Sequence, residues 1–214
     1  MTRRRLPPCG LYAITPDRPM ALPELMQAAE EALRGGTRLL QYRRKGLAHA
    51  QAKPEVEALV TCCERHDALL FVNDDVELAH SAGAHGVHLG RDDGDYAALA
   101  RDGSRRLLLG VSCYNSLASA RLAAAAGVDY VAFGSLYATS SKPEAVHCPH
   151  AVLSQARAEL DLPIVAIGGI TPDNAASVLE AGADFIAAIG GVFDQPSIFE
   201  SASRYSRLFT SRRN

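Results

Sequence analysis

Residues 163–191 read PIVAIGGITPDNAASVLEAGADFIAAIGG. Pro163–Ile167 is a short apolar run that stops at Gly168-Gly169, and Asp184–Ile189 is a second that stops at Gly190-Gly191. Runs of this length and composition read as strands buried on both faces, and the segment between them predicts a helix over 173–181. Strand, helix, strand is the unit that pairs its strands in parallel through a right-handed crossover.

The same beat runs through the rest of the chain. Leu11–Ile14, closed by Thr15-Pro16-Asp17, precedes a helix over 23–34, where Leu22, Leu25, Met26, Ala29 and Leu33 recur at helical spacing until Gly35-Gly36. Leu39–Arg43 precedes a helix over 49–66, with Pro54 marking a competing start because proline suits a first turn better than an interior. Leu69–Val72, Gly86–Leu89, Arg106–Val111 and Asp129–Phe133 are strands followed by helices over 75–82, 96–101, 116–126 and 151–160; a last helix covers 197–209. Asn115 or Ser116 caps the 116–126 helix and Gly127 stops it. Eight such units predict an α/β chain folded as a (β/α)8 TIM barrel, one domain over residues 1–214, with flexible ends at about 1–9 and 211–214. An open doubly wound sheet calls for a glycine-rich turn after the first strand, and Thr15-Pro16-Asp17-Arg18 is no such turn.

Composition narrows the partners. A formal charge of -2 at pH 7 gives no global field for nucleic acid or a membrane surface, and Arg3-Arg4-Arg5 and Arg212-Arg213 read as solvated ends. The 5 cysteines are odd in number and form no C-x-x-C pair, which argues against disulfides or a zinc knuckle and for reduced thiols in the cytoplasm. No apolar stretch reaches a membrane-spanning length of roughly 18 residues.

In a parallel barrel, chemistry gathers at the carboxyl ends of the strands. Gln41, Arg43 and Lys45 follow the second strand; Asn73 and Asp74 the third; Arg91 and Asp92 the fourth; Ser112 the fifth; Thr139, Ser141 and Lys142 the sixth. If the second strand continues to Lys45, Arg43 and Lys45 point to one side and converge on one anion, and Lys142 adds a third cation suited to a polyanion. Asp74 and Asp92 are the expected ligands of a hard cation such as Mg2+, with Asp75 and Asp93 as caps. The two Gly-Gly pairs fall at strands seven and eight, where these barrels bind phosphate. His88 reads as a hydrogen-bonded histidine of the barrel interior and Cys113 as packing; no Ser-His-Asp or H-E-x-x-H pattern is present.

Gln41-Tyr42-Arg43-Arg44-Lys45, Asn73-Asp74, Gly86 through Asp92, Gly110-Val111-Ser112, Gly134 through Lys142 and Ala166 through Ile170, taken in order, resemble the thiamine-phosphate synthase family over nearly the whole chain. The resemblance implies a barrel that joins an aminopyrimidine methyl diphosphate to thiazole ethyl phosphate, or its carboxylated form, with Mg2+ as cofactor. It implies that Gln41, Arg43, Lys45 and Asn73 hold the pyrimidine diphosphate and that Asp74 and Asp92 bind the metal. Ser112 and Lys142 would contact the diphosphate or pyrimidine, Thr139 and Ser141 the thiazole phosphate partner, and Gly169, Ile189 and Gly190 the thiazole phosphate. Arg43, Lys45, Ser112 and Lys142 would carry catalysis, and the oligomeric state, monomer or homo-oligomer, stays open. Arg91 replaces a usual Gln, Ser135 a Pro, Ser141 a Thr and Gly190 a Ser. Two alternatives stand beside this reading: the related thiazole tautomerase, which places a His two residues beyond the Ser112 position, where this chain has Tyr114, and a non-catalytic phosphate-binding barrel, against which the intact metal ligands argue.

Overall fold

The structure, a computed structural model, describes residues 4–90, 93–102, 107–139 and 144–210. Eight parallel strands form a closed barrel in chain order: β1 (Gly10–Ile14), β2 (Leu39–Tyr42), β3 (Leu69–Asn73), β4 (Gly86–Leu89), β5 (Leu108–Tyr114), β6 (Tyr130–Phe133), β7 (Ile164–Ile167) and β8 (Phe185–Ala188). The barrel closes where β1 pairs with β8, Tyr12 opposite Ala187. Around it lie α1 (Leu22–Arg34), α2 (His49–Arg65), α3 (Val76–Ser81), α4 (Tyr96–Arg101), α5 (Leu117–Ala126), α6 (His150–Glu159), α7 (Ala175–Glu180), α8 (Gly190–Phe193) and α9 (Ile198–Arg207).

Strand alternation sorts the core into two layers. Leu11, Ala13, Leu40, Leu70, Val87, Leu109, Val131 and Ile186 face outward and pack against the helices. Tyr12, Leu39, Phe71, Leu108, Tyr130, Val165 and Phe185 fill the interior. Gly110 makes room for the Tyr130 ring, since a Cβ there would collide with it. With this parity, Gln41, Asn73, His88 and Ser112 are the upper inward residues of β2 to β5, so the strands aim them at the mouth.

Several boundaries differ from expectation for local reasons. β2 stops at Tyr42, so alternation does not carry Arg43 and Lys45 to a common side. β5 runs on to Tyr114, past a register shift against β6 at Ser112/Tyr114. α2 does start at His49, and Pro54 lies within it on an exposed face where water can serve the carbonyl that its missing N–H leaves. α7 begins two residues late because Asn174 Oδ1 accepts the Thr171 N–H at 2.8 Å, closing a turn first. α8 was hidden by Gly190-Gly191, whose helix propensity is poor. Within the end expected to be flexible, Arg4 pairs with Glu64 at 2.6 Å, Leu6 packs on the inner cluster and Cys9 is buried. All five cysteines are free and buried, and no helix among the described residues is long and apolar enough to cross a membrane.

Candidate active site

The carboxyl ends of the strands open into a cavity of about 870 Å3, lined by Gln41, Arg43, Lys45, Asn73, Asp74, Ser112, Thr139, Gly169, Ile189 and Gly190 among others. These expected site residues are therefore brought together. Asp92, Ser141 and Lys142, with Arg91, lie outside the described residues.

The cations are held by carboxylates from different loops. Asp17, after β1, accepts from Arg43 Nη1 at 2.9 Å with one oxygen and from the Lys45 backbone N–H at 2.8 Å with the other. Thr15 adds a bond from the Arg43 N–H to its hydroxyl at 2.9 Å. The β2–α2 loop is thus clamped to the β1–α1 loop, and Lys45 Nζ reaches Asp74 at 3.1 Å. Reading Thr15-Pro16-Asp17 only as a strand closure missed this clamp.

Asp74 takes φ of 66°, a left-handed conformation that aspartate tolerates better than most residues, and its N–H bonds to His88 O at 2.9 Å. Asp75 caps α3 through the Leu78 N–H, as expected. Asp93 does not cap a helix; Asp95 caps α4. Asp93 instead accepts the Gly90 N–H at 2.9 Å and faces Asp74 across the cavity edge. Burial lifts the Asp74 carboxyl above the ordinary range, Asp93 alongside lifts it further, and Lys45 pulls the other way. The two neighbouring carboxylates are hard oxygen donors whose mutual repulsion a divalent cation would relieve, so this donor pair fits Mg2+.

Beneath the mouth a hydrogen-bond chain crosses the barrel. Gln41 Nε2 donates to Tyr12 OH at 2.8 Å, Tyr12 OH lies 2.9 Å from Tyr130 OH, and Tyr130 OH lies 2.8 Å from His88 Nδ1. His88 Nε2 then meets Ser112 Oγ at 2.8 Å. Burial pushes the His88 pKa down to about 4, so the ring is neutral near pH 7 and carries one N–H. One orientation gives every buried proton of the chain an acceptor: Gln41 to Tyr12, Tyr12 to Tyr130, Tyr130 to His88 Nδ1, and His88 Nε2–H to Ser112. The reverse leaves the Tyr12 hydroxyl proton without an acceptor in the chain. The Ser112 hydroxyl is then the donor at one end, and the Gln41 carbonyl oxygen the acceptor at the other. His88 is the hydrogen-bonded interior residue expected; Tyr12 and Tyr130 were missed, although inward parity on β1 and β6 points to both.

The glycine pairs have a packing cause as well. A Cβ at Gly168 would strike Ser135, and one at Gly169 would strike the Ala138 carbonyl, because the β6–α6 loop lies directly on them with Tyr137 N–H bonded to Gly168 O at 3.0 Å. At Gly190 a Cβ would sit 2.6 Å from Asp194 Oδ2, so the carboxylate of Asp194 occupies the space a serine would need.

A family model described as thiamine monophosphate synthase matches residues 11–192. The chain is 47% identical over 200 residues to a thiamine-phosphate synthase of Thioalkalivibrio sulfidiphilus, covering 94% of this chain and 95% of that one. It is 48% identical over 210 residues to a thiamine-phosphate synthase of Methylobacillus flagellatus, covering 98% and 100% respectively. Among solved structures, thiamine phosphate pyrophosphorylase from Pyrococcus furiosus superposes with a TM-score of 0.85 at 31% identity, covering 95% of this chain and 96% of that one. A match of this extent, on a barrel whose mouth carries paired carboxylates and cations, means that the chain belongs to the thiamine monophosphate synthase family of transferases.

Proposed function

We propose that this cavity joins an aminopyrimidine methyl diphosphate to thiazole ethyl phosphate, forming thiamine phosphate and releasing pyrophosphate. The observation that carries the reading is the gathering of Asp74, Asp93, Lys45 and Arg43 along one edge of the cavity. At about 870 Å3 it lies toward the upper end of the usual range of about 300–1,000 Å3, which suits two substrates at once.

The Gln41 carbonyl and the Ser112 hydroxyl are an acceptor and a donor on a rigid floor, matched to the amino group and a ring nitrogen of the pyrimidine. Arg43 and Lys45, with Lys142 from the sequence, face the diphosphate. Thr139, Ser141 and the backbone amides at Gly169, Ile189 and Gly190 receive the thiazole phosphate. The C–O bond to the diphosphate breaks with its electron pair leaving on pyrophosphate, and the thiazole nitrogen gives its lone pair to the methylene carbon. No proton changes hands in that exchange, so fixed charges and alignment suffice without a general base. Asp74 and Asp93, with Asp92 the further candidate from sequence, would hold Mg2+, which would supply positive charge for the leaving pyrophosphate.

Purified protein mixed with both substrates is assayed for thiamine phosphate by fluorescence, first with Mg2+ and then with EDTA. Product that forms with Mg2+ and vanishes with chelator supports reaction and metal together. A folded protein that makes none sinks the proposed reaction, and product indifferent to EDTA sinks the metal.

A further inference from the structure

On the helical layer, away from the cavity, Glu30 of α1 meets Cys62 and His66 at the end of α2. Glu30 Oε2 accepts from the Cys62 thiol at 3.1 Å and from Arg65 Nη2 at 3.0 Å, while Glu30 Oε1 lies 2.7 Å from His66 Nε2. The sulfur, imidazole nitrogen and carboxylate oxygen all lie within 4.8 Å of one another. Cys62 and His66 stand four apart, the spacing that puts two side chains on one face of a helical turn, and Glu30 closes the group from a neighbouring helix. Cys62 is fully buried, whereas Glu30 and His66 keep part of their side chains in water. None of the three lines the cavity.

We propose that Glu30, Cys62 and His66 form a Zn2+ site that ties α1 to the end of α2, with water as the fourth ligand. One soft sulfur, one imidazole and one carboxylate make a mixed set that suits zinc better than Mg2+ or Ca2+. Ligands on a tetrahedral zinc sit roughly 3–4 Å apart, given bonds of about 2.0–2.3 Å, so small side-chain rotations within the present cluster are enough. On binding, the Cys62 thiol gives its proton to water and the thiolate sulfur takes the metal; the His66 proton moves by way of water from Nε2 to Nδ1 so that Nε2 offers its lone pair. Arg65 supports the carboxylate from outside but repels the ion, which gives the site a signature. The location suits a stabilising ion, because α2 leads through Ala68 into β3 at the amino-terminal end of the barrel, the end where these folds place stability and not chemistry.

The whole chain, stripped of metal and kept in excess Mg2+ to occupy the carboxylates at the cavity, is titrated with Zn2+ against a chromophoric competitor and separately with Co2+. One equivalent of zinc is expected, with a thiolate-to-cobalt charge-transfer band and the strong visible bands of tetrahedral cobalt. E30Q, C62S and H66Q should each weaken zinc tenfold or more, C62S should abolish the charge-transfer band, and R65Q should tighten binding severalfold. Zinc should raise the melting temperature of the parent and not of E30Q. Circular dichroism checks folding, and if C62S fails to fold, E30Q and H66Q decide. Absence of zinc binding, binding indifferent to E30Q and H66Q, or a charge-transfer band that survives C62S overturns the site.

Discussion

His88 Nε2 lies 2.8 Å from Ser112 Oγ, and His88 Nδ1 lies 2.8 Å from Tyr130 OH, so one imidazole couples the barrel floor to the hydroxyl that faces the cavity. Replacing His88 by Leu keeps the bulk but strands both partners. An unsatisfied buried polar group costs about 1–3 kcal/mol, so H88L should fall in urea stability by that order. Ser112 should also lose its fixed orientation, lowering kcat more than it raises KM. Unchanged stability in H88L would mean that the chain does not hold the floor.

The same histidine gives the protein a pH signature. Its folded pKa of about 4 lies below the ordinary 6.5, so as pH falls the unfolded chain takes the proton first. The stability carried by neutral His88 is whole above about 6.5 and is lost progressively toward 4; the gap corresponds to about 3 kcal/mol. Parent protein should therefore weaken between pH 6.5 and 5, before most carboxylates titrate, and H88L should show a flatter slope in that window. Equal slopes in urea titrations at the two pH values would refute the assignment.

Asp74, Asp93 and Asp75 separate metal binding from capping. If Asp74 and Asp93 hold Mg2+ as proposed, D74N and D93N should each lower turnover and shift the Mg2+ requirement upward by about tenfold or more, since each would remove one hard charged ligand. D75N retains an oxygen for the Leu78 N–H and should leave the Mg2+ response alone, while D75A should cost about 1 kcal/mol of stability. A Mg2+ titration with normal half-saturation in D93N would remove Asp93 from the metal set.

The barrel was legible because each strand-helix beat is written locally: apolar runs of four to seven residues, helical spacing, and glycines at the stops. The strand-end residues Gln41, Asn73, Asp74 and Ser112 were legible for the same reason, since strand ends share one mouth. Long-range relations were not. Nothing near Asp17 in sequence says that it will grip Arg43, and nothing near Asp93 says that it will accept the Gly90 N–H beside Asp74. Tyr12 and Tyr130 look like ordinary strand aromatics until β1 and β6 face each other across a closed barrel, with their hydroxyls 2.9 Å apart.

The Asp17 clamp predicts a loss that touches no catalytic step directly. D17A frees Arg43 Nη1 and the Lys45 N–H together, so both cations lose their rigid placement. Two bonds to a charged group are worth enough to cost roughly tenfold in kcat/KM, about 1.4 kcal/mol, for the diphosphate substrate. The KM for the thiazole phosphate should stay near the parent value. Initial-rate kinetics with each substrate varied in turn test this, and an equal change in both KM values would contradict the placement of Arg43 and Lys45 on the diphosphate side.

Gly169 sits at φ of 61°, and a Cβ there would press on the Ala138 carbonyl and on Tyr137. Gly169→Ala therefore meets two costs, left-handed backbone and collision with the loop that carries Thr139. Backbone strain alone is of order 1 kcal/mol for a non-glycine residue, and the collision adds to it. The loop after β6 should be displaced, because its Leu136 N–H bonds to Ile167 O of β7 at 3.1 Å and its Tyr137 N–H to Gly168 O at 3.0 Å. G169A is expected to lose about 1–3 kcal/mol in denaturant and to raise the KM for thiazole phosphate well above that for the diphosphate. Gly46, where a Cβ meets nothing within 4 Å, supplies the control: G46A shares the positive φ of 82° without the collision, so it should show the backbone cost and no selective change in thiazole phosphate KM.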